Sequence, residues 1–438
     1  MRHVLLNLLL NKIKDCGAEI KKDNFSINTK VDLEKMDFLL LKPYLYLLLN
    51  KFENSYFIVI ENLPFCLMPD AQEHIIYNEK SYSGYLKDKD CARCKYKDTC
   101  PGWPKGSKKT SLTCPLPIKD LPKEIVLEIT QNCNLNCPVC FRQHRKKELT
   151  LNKIKKVIDE CVGLGIKTIR FTGGEPLLYR DIRAALSYAK GKGLYVILNT
   201  NATILDERIK TTLKNCADNM LISFQGFNSD SEKRLTRCTF NFKTKLKNII
   251  ELNYFIPKVR LGTVVSRTLR DNFSNYYYLI KKLNIKDWEL FRPMRNTGED
   301  EFNINREDLI EIMRSIKKLN KDNKMNLKIA NAVPFCITGD FNLAHFTLLG
   351  AEADDGHSRL ILDAEGFFKP SYFVNKDLGM KIKKAWQNPF LKKLRSLKFL
   401  PQKCETCFYL KWCKGGSRYW AKLAYSDYFK PDPLMDYE

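Results

Sequence analysis

No apolar run in this chain approaches the roughly 20 residues that a membrane-spanning helix needs. The most apolar stretch, Phe38 to Leu49 (FLLLKPYLYLLL), is broken by Lys42 and Pro43. It reads as a core helix beginning after Pro43, with an interfacial, lipid-facing helix as the alternative. Nor is the start of the sequence expected to act as a secretory leader. The start, Met1 to Ile13, carries Leu5, Leu6, Leu8, Leu9 and Leu10, then meets Lys12, Lys14 and Asp15 with no small-residue cleavage site. That pattern reads as a helix and not as a signal peptide. There is no long basic tail either. The net charge of +24 is spread over lysine-rich segments, densest at Arg142, Arg145, Lys146 and Lys147. Such charge admits a polyanionic partner, nucleic acid included, without favouring one. These absences make the expected location cytoplasmic.

What the chain does have is cysteine. There are sixteen in 438 residues, with 44% hydrophobic and 28% charged residues. The latter two values describe a globular protein long enough for more than one domain. Small secreted domains use cysteines as disulfide staples, but a chain of this size does not need them. Clustered cysteines in such a chain point to metal.

Three segments are expected. Residues 1–120 hold helical patterns, a strand at Tyr56–Ile60 and a cysteine group, and end in a linker from Pro101 to Pro117. Residues 121–304 alternate strand and helix. The expected strands are Ile125–Ile129, Thr168–Thr172, Tyr195–Asn199, Met220–Phe224, Arg260–Val265 and Asp287–Phe291. Helical patterns such as Leu151–Leu164 and Ile182–Lys192 lie between them. Strict alternation implies parallel strands with crossover helices, an α/β fold. Residues 305–438 form a second cysteine-bearing module.

The outer segments share a repeat. Pro64-Phe65-Cys66 recurs as Pro334-Phe335-Cys336. Downstream of the first come Cys91, Cys94, Cys100 and Gly102; downstream of the second come Cys404, Cys407, Cys413 and Gly415. Both follow the spacing C-x2-C-x5-C, and Tyr96 matches Tyr409.

Between them lies Cys133-Asn134-Leu135-Asn136-Cys137-Pro138-Val139-Cys140, at the end of the first expected strand of the middle segment. Thiolates suit iron and zinc, and a cubane cluster takes four cysteines. Three close cysteines hold three irons and leave one open. Zinc is the competing occupant and wants a closed set of four, which His144 could complete.

The C-x3-C-x2-C loop resembles that of the radical S-adenosylmethionine superfamily. Phe171-Thr172-Gly173-Gly174-Glu175-Pro176 is similar to the family motif that contacts the methionine amino group. Asn199-Thr200-Asn201 stands near the family's Thr-Asn-Gly, with Ala202 in place of glycine. Ser223-Phe224-Gln225-Gly226 resembles its Ser-Leu-Asp-Gly, with Gln225 replacing Asp. Val264-Val265-Ser266-Arg267 and Phe291-Arg292-Pro293 sit where its fifth and sixth strands end. The resemblance implies a partial (β/α)6 barrel with cysteine-rich modules at both ends, its chemistry at the carboxyl ends of the strands. It implies a [4Fe-4S] cluster on Cys133, Cys137 and Cys140. It also implies S-adenosylmethionine bound near Gly173, Gly174, Glu175, Pro176, Thr200, Asn201 and Ser223. Reductive cleavage would yield a 5′-deoxyadenosyl radical that abstracts hydrogen from a substrate, with electrons from a ferredoxin or flavodoxin.

The C-terminal segment resembles the auxiliary-cluster extension called SPASM or twitch. Cys336, Asp363-Ala364-Glu365-Gly366, Trp386, Leu400-Pro401 and Cys404 to Gly416 carry that likeness. Ser371 and Ser417 stand where the two-cluster form has cysteines, which implies one auxiliary [4Fe-4S] cluster on Cys336, Cys404, Cys407 and Cys413. By the repeat, Cys66, Cys91, Cys94 and Cys100 are expected to hold another, with zinc as the competitor. Cys16, Cys114, Cys161, Cys216 and Cys238 stand alone and read as buried small hydrophobes, Cys238 being the one worth testing. His74, His345 and His357 lack metal-type spacing, and Tyr77 and Tyr82 carry no assigned role. The expected substrate is a peptide or protein side chain. The alternatives are tRNA, a lipid or a small-molecule precursor, or an electron-transfer protein without radical activity.

Overall fold

A computed structural model of the chain describes residues 2–23, 26–33, 36–53, 56–77, 84–105, 120–142, 147–294, 297–321 and 325–435. Tyr82, Cys114, His144, Arg145 and Lys146 lie outside the described residues. The chain divides into two compact units, 1–120 and 121–438.

In the first unit α1 (Arg2–Asp15) leads into β1 (Glu19–Lys22) and β2 (Ser26–Lys30). Helix α2 (Phe38–Phe52) then crosses to β3 (Phe57–Glu61), and β4 (Ile75–Ile76) closes a four-stranded sheet in the order β1-β2-β3-β4. The α2 crossover makes β2 and β3 parallel, whereas β1 is antiparallel to β2. A short pair, β5 (Tyr85–Leu86) and β6 (Trp103–Pro104), follows. Leu6, Leu9, Leu10 and Ile13 of α1 share a core with Leu41, Leu45, Leu48 and Leu49 of α2. Helix α2 begins at Phe38, not after Pro43 as the sequence suggests. The Asp37 side chain caps it by accepting from the Leu39 N–H, and Phe38 and Leu41 are buried. Burial of a continuous apolar stripe offsets the one hydrogen bond that proline removes.

The second unit alternates as expected. Its elements are β7 (Glu124–Thr130), α3 (Leu151–Leu164), β8 (Thr168–Gly173), α4 (Ile182–Gly191), β9 (Tyr195–Thr200), α5 (Glu207–Cys216) and β10 (Asn219–Ser223). Helices α6 (Ser229–Thr236) and α7 (Phe242–Phe255) lead to β11 (Lys258–Val264). Helices α8 (Arg267–Asp271) and α9 (Phe273–Lys282) lead to β12 (Asp287–Phe291). The six strands β7 to β12 are parallel neighbours in chain order, as a partial barrel requires.

The sheet does not stop at six strands. After α10 (Arg306–Leu319), β13 (Asn326–Ile329) pairs parallel to β12. After α11 (Phe341–Thr347), β14 (Arg359–Leu362) pairs parallel to β7, and β15 (Phe368–Lys369) folds back on β14. The result is a nine-stranded sheet that crosses position 304. Both edges of the six-stranded core would otherwise expose unpaired backbone groups.

Side chains alternate across each strand. Ile125, Leu127, Ile169, Phe171, Val196, Leu198, Met220, Ile222, Val259 and Leu261 belong to the hydrophobic core. Several of the intervening positions carry charge. Arg170 clamps Glu124 with two contacts of 2.6 and 3.0 Å and reaches Asn199 at 3.1 Å. Arg260 holds Glu289 at 2.5 Å and Asn219 at 2.9 Å. The second face of the sheet thus sets paired charges among apolar residues such as Val126, Ile197 and Leu221. Among the described residues no helix is long and apolar enough to cross a membrane.

Candidate active site

The three-cysteine loop leaves the carboxyl end of β7 and is held by short-range bonds. The Thr130 hydroxyl donates to Glu148 Oε1 at 2.6 Å, and the Asn132 amide donates to the same oxygen at 2.9 Å. Arg142 reaches back to the carbonyls of Gln131 (3.1 Å) and Leu135 (2.9 Å). The Asn136 N–H donates to the Thr236 carbonyl at 3.0 Å, which ties the loop to the end of α6. Cys133, Cys137 and Cys140 are half-buried thiols without disulfides. Burial pushes the Cys133 thiol up to about 11, although the Leu135 N–H donates to its sulfur. Burial, then the neighbouring Cys140 and Cys133, push Cys137 up as well. Crowded thiolates repel one another and a metal relieves that repulsion, so this donor set fits an iron–sulfur group.

The glycine-glycine-glutamate-proline segment packs directly on that loop. The N–H groups of Gly174 and Glu175 donate to the carbonyls of Thr130 (2.6 Å) and Asn132 (2.7 Å). A Cβ on Gly173 would lie 2.2 Å from the Thr130 oxygen, and one on Gly174 2.0 Å from the Asn132 oxygen. Both glycines are therefore required by the cysteine loop itself. Gly174→Ala is expected to force the two loops apart, at a cost of about 1–3 kcal/mol typical of overpacking. Denaturant melting of the two proteins measures it; equal stability would show that the loops can separate freely.

Glu175 is 1% exposed. Its Oε1 accepts from the Thr200 hydroxyl (2.7 Å) and the Leu177 N–H (3.1 Å), and its Oε2 from the Asn201 N–H (2.7 Å). Burial raises its pKa, and these three donors oppose the rise. A carboxylate offers about four lone-pair positions, so roughly one remains. Asn201 in turn donates to Asn134 Oδ1 at 2.8 Å, and Asn134 to Thr203 at 2.7 Å. Residues from three separate motifs thus form one network: Asn134 beside Cys133, Glu175 after β8, and Thr200 with Asn201 at β9. Pro176 opens a short helical turn whose cap is Glu175.

Ser223 ends β10 and accepts from Gln225 Nε2 at 2.9 Å. Gln225, standing where the family has Asp, is also bonded through Oε1 to the Val264 N–H at 3.0 Å. The N–H groups of Gln225 and Gly226 both donate to Glu232 Oε2. Glu232 is ion-paired with Lys245, the two side chains being 1% and 0% exposed. This pair carries no short-range sequence signal. Neither does Glu128, buried at the end of β7 and paired with Lys369 of β15 at 2.9 Å. The pair lines a polar cavity of about 330 Å³ together with Gln131, Asp363 and Glu365. Tyr372 packs at a tilt against Phe141, beside the last cysteine of the loop, at 4.4 Å between centroids.

Cys336 lies on a turn of 3-10 helix (Phe335–Thr338), Cys404 and Cys413 follow on two short helical turns, and Cys407 lies between those turns. Burial raises Cys404 to about 11, with Cys336 and Cys407 adding to it. Burial raises Cys413 to about 12, opposed by backbone N–H groups of Phe335, Gly415 and Gly416. Cys336 packs against the apolar cluster that contains Cys404. Ser371 and Ser417 are buried and committed to the protein itself. The Ser371 hydroxyl accepts from the Val374 N–H at 3.2 Å. Ser417 caps the helix Arg418–Tyr425, and its N–H donates to Asp432 at 2.7 Å. Asp432 is also held by Arg292 at 2.8 Å, which gives the Phe291-Arg292-Pro293 segment a structural partner. Asp363 closes the β14–β15 turn by accepting from the N–H groups of Glu365 and Phe367, each at 3.0 Å.

Cys161 and Cys216 are core residues. Cys238 lies within reach of the three-cysteine loop, its sulfur 3.1 Å from the Asn134 carbonyl. His74 bonds the Ile58 carbonyl at 2.9 Å and serves the fold.

Residues 127–267 match the model of the Radical SAM superfamily. The AdoMet-dependent heme synthase of Methanosarcina barkeri is 25% identical over 72% of this chain and 97% of its own length. Two solved structures share the fold. Streptococcus suis SuiB bound to its precursor peptide SuiA aligns with a TM-score of 0.59 and 17% identity, over 73% of this chain and 77% of SuiB. Native anSMEcpe with bound AdoMet aligns with a TM-score of 0.55 and 16% identity, over 68% and 89%.

Proposed function

We propose that this chain, an enzyme that carries a radical SAM domain, cleaves S-adenosylmethionine reductively and modifies a peptide or protein side chain. The observation that carries the reading is the hydrogen-bonded network from Asn134 through Asn201 and Thr200 to Glu175. It locks the three-cysteine loop to the carboxyl ends of the next two strands, where such sheets gather their chemistry.

In this reading Cys133, Cys137 and Cys140 hold three irons of a four-iron cluster. When bound, that cluster and S-adenosylmethionine together supply a 5′-deoxyadenosyl radical able to take hydrogen from an unactivated carbon. The chain's own residues position and shelter. Glu175 keeps about one acceptor position for an ammonium group. Ser223 and Gln225, fixed by Glu232, shape the floor after β10. Phe141 and Tyr372 wall the side next to Cys140 and exclude water. Cys336, Cys404, Cys407 and Cys413 hold one auxiliary cluster, and the buried, bonded Ser371 and Ser417 leave no thiol for a second.

The peptide substrate is supported by the likeness to SuiB in complex with its precursor peptide. A second reading, a small-molecule substrate, is favoured by the likeness to a heme synthase over most of its length. The deciding test is anaerobic. The reconstituted protein is given dithionite and S-adenosylmethionine, and 5′-deoxyadenosine is measured. The product is expected. Its absence at full iron loading would leave an electron-transfer protein. Stimulation by a small-molecule tetrapyrrole, but not by peptides, would move the substrate to the second reading.

A further inference from the structure

We infer that the first unit is a second copy of the C-terminal cysteine module and holds its own four-iron cluster on Cys66, Cys91, Cys94 and Cys100. The inference goes beyond the reading above and makes no use of S-adenosylmethionine.

The likeness extends from sequence spacing to backbone geometry. Each module is entered from a parallel strand–helix–strand unit, β2–α2–β3 in one and β12–α10–β13 in the other. Each then places its Pro-Phe-Cys on a 3-10 turn. The Leu67 N–H donates to the Pro64 carbonyl at 3.0 Å, and the Ile337 N–H to the Pro334 carbonyl at 3.2 Å. The later cysteines follow the same hydrogen-bond path. Cys94 donates to Cys91 (3.0 Å) as Cys407 does to Cys404 (3.1 Å). Lys97 donates to Cys94 (3.1 Å) as Leu410 does to Cys407 (3.1 Å). Thr99 and Cys100 both donate to the Tyr96 carbonyl, at 3.1 and 2.8 Å; Trp412 and Cys413 both donate to Tyr409, at 3.0 and 2.8 Å. The tyrosine at that branch point stacks on the phenylalanine of the Pro-Phe-Cys in both copies. Phe65 and Tyr96 lie 4.4 Å apart at 29°, Phe335 and Tyr409 5.4 Å apart at 26°. Gly102 and Gly415 follow with φ of 97° and 75°. Two chain segments that share ligands, turns and packing present sulfurs in the same way and suit the same occupant.

The first unit adds observations of its own. All four cysteines line a single cavity, with Phe65, Tyr96 and Trp103. The Tyr77 hydroxyl lies 3.5 Å from the Cys100 sulfur. Trp103 is 3% exposed, and its buried indole N–H meets no acceptor among the described residues. A donor buried without a partner is costly, and the sulfur atoms of a cluster are acceptors that would satisfy it. Four thiolates also suit zinc, at about 2.3 Å from one ion. The metal count below separates that single ion from a four-iron cluster.

The experiment uses the full chain, reconstituted anaerobically. Iron, acid-labile sulfide and zinc are counted per chain in the parent and in two double variants, Cys91→Ser with Cys94→Ser and Cys404→Ser with Cys407→Ser. About twelve irons are expected in the parent, about four fewer in each double variant, and about eight fewer when the two are combined. Cys16→Ser, in the same unit, should lose none. An unchanged iron count in the first double variant, or loss of one zinc in its place, would overturn the inference. If that variant does not fold, Mössbauer spectroscopy of the parent decides: three cubanes' worth of iron supports the second copy, two refute it. The metal counts stand even if no 5′-deoxyadenosine forms, so this inference and the proposed activity fail separately.

Discussion

Cys137→Ala is expected to reduce 5′-deoxyadenosine formation to background and to remove about four irons. The reason is coordination number. The loop after β7 offers three thiols, and the burial and mutual repulsion that raise Cys137 tie it to both Cys133 and Cys140. An incomplete trio cannot hold three irons, and no other described cysteine replaces it except through Cys238, whose sulfur bonds the Asn134 carbonyl. Cys238→Ala is therefore the matched control and should retain iron and product. Product at the parent's rate from Cys137→Ala would remove the central claim. Loss of product with iron retained would assign the missing role to substrate positioning and point to a substitute ligand.

The second large effect is on stability. Lys245→Met should lower stability by about 3–5 kcal/mol, the range for removing one partner of a buried ion pair. Lys245 and Glu232 are 0% and 1% exposed. Without the ammonium, the Glu232 carboxylate is left buried without its counter-charge. Its other oxygen holds the N–H groups of Gln225 and Gly226, so the loop after β10 loses its anchor as well. Thermal melting should show the loss. Replacing both partners, Lys245→Met with Glu232→Leu, should recover part of it, because no uncompensated charge stays buried. Ser223 sits beside this loop, so the single variant should also weaken cofactor binding. A melting temperature equal to the parent's would show that water reaches the pair.

Much of this molecule is written locally. The strands β7 to β12 follow from apolar runs alternating with amphipathic helices, and a parallel sheet follows from their order. The three cysteines lie within eight residues, so their chemistry needs no knowledge of the fold. Glu175 could be singled out for the same reason, since glycines on one side and proline on the other mark a built turn. Its bonding partners could not. Thr200 and Asn201 lie some 25 residues on, and only the pairing of β8 with β9 brings them to the carboxylate.

The sequence alone therefore determined the parallel order of the central sheet, the three-cysteine loop at its carboxyl edge and the repeated cysteine spacing at the two ends. Each is set by neighbours close along the chain, through strand and helix periodicity or ligand spacing. Tertiary structure decided the rest. Pro43 lies inside α2 because the stripe on both sides of it is buried. The sheet grows to nine strands because β13 and β14 cover edges that β7 and β12 would leave open. Glu128 meets Lys369, and Arg292 meets Asp432, across long stretches of chain. A buried charge has no periodicity and leaves no local pattern; its partner is chosen by where the fold excludes water.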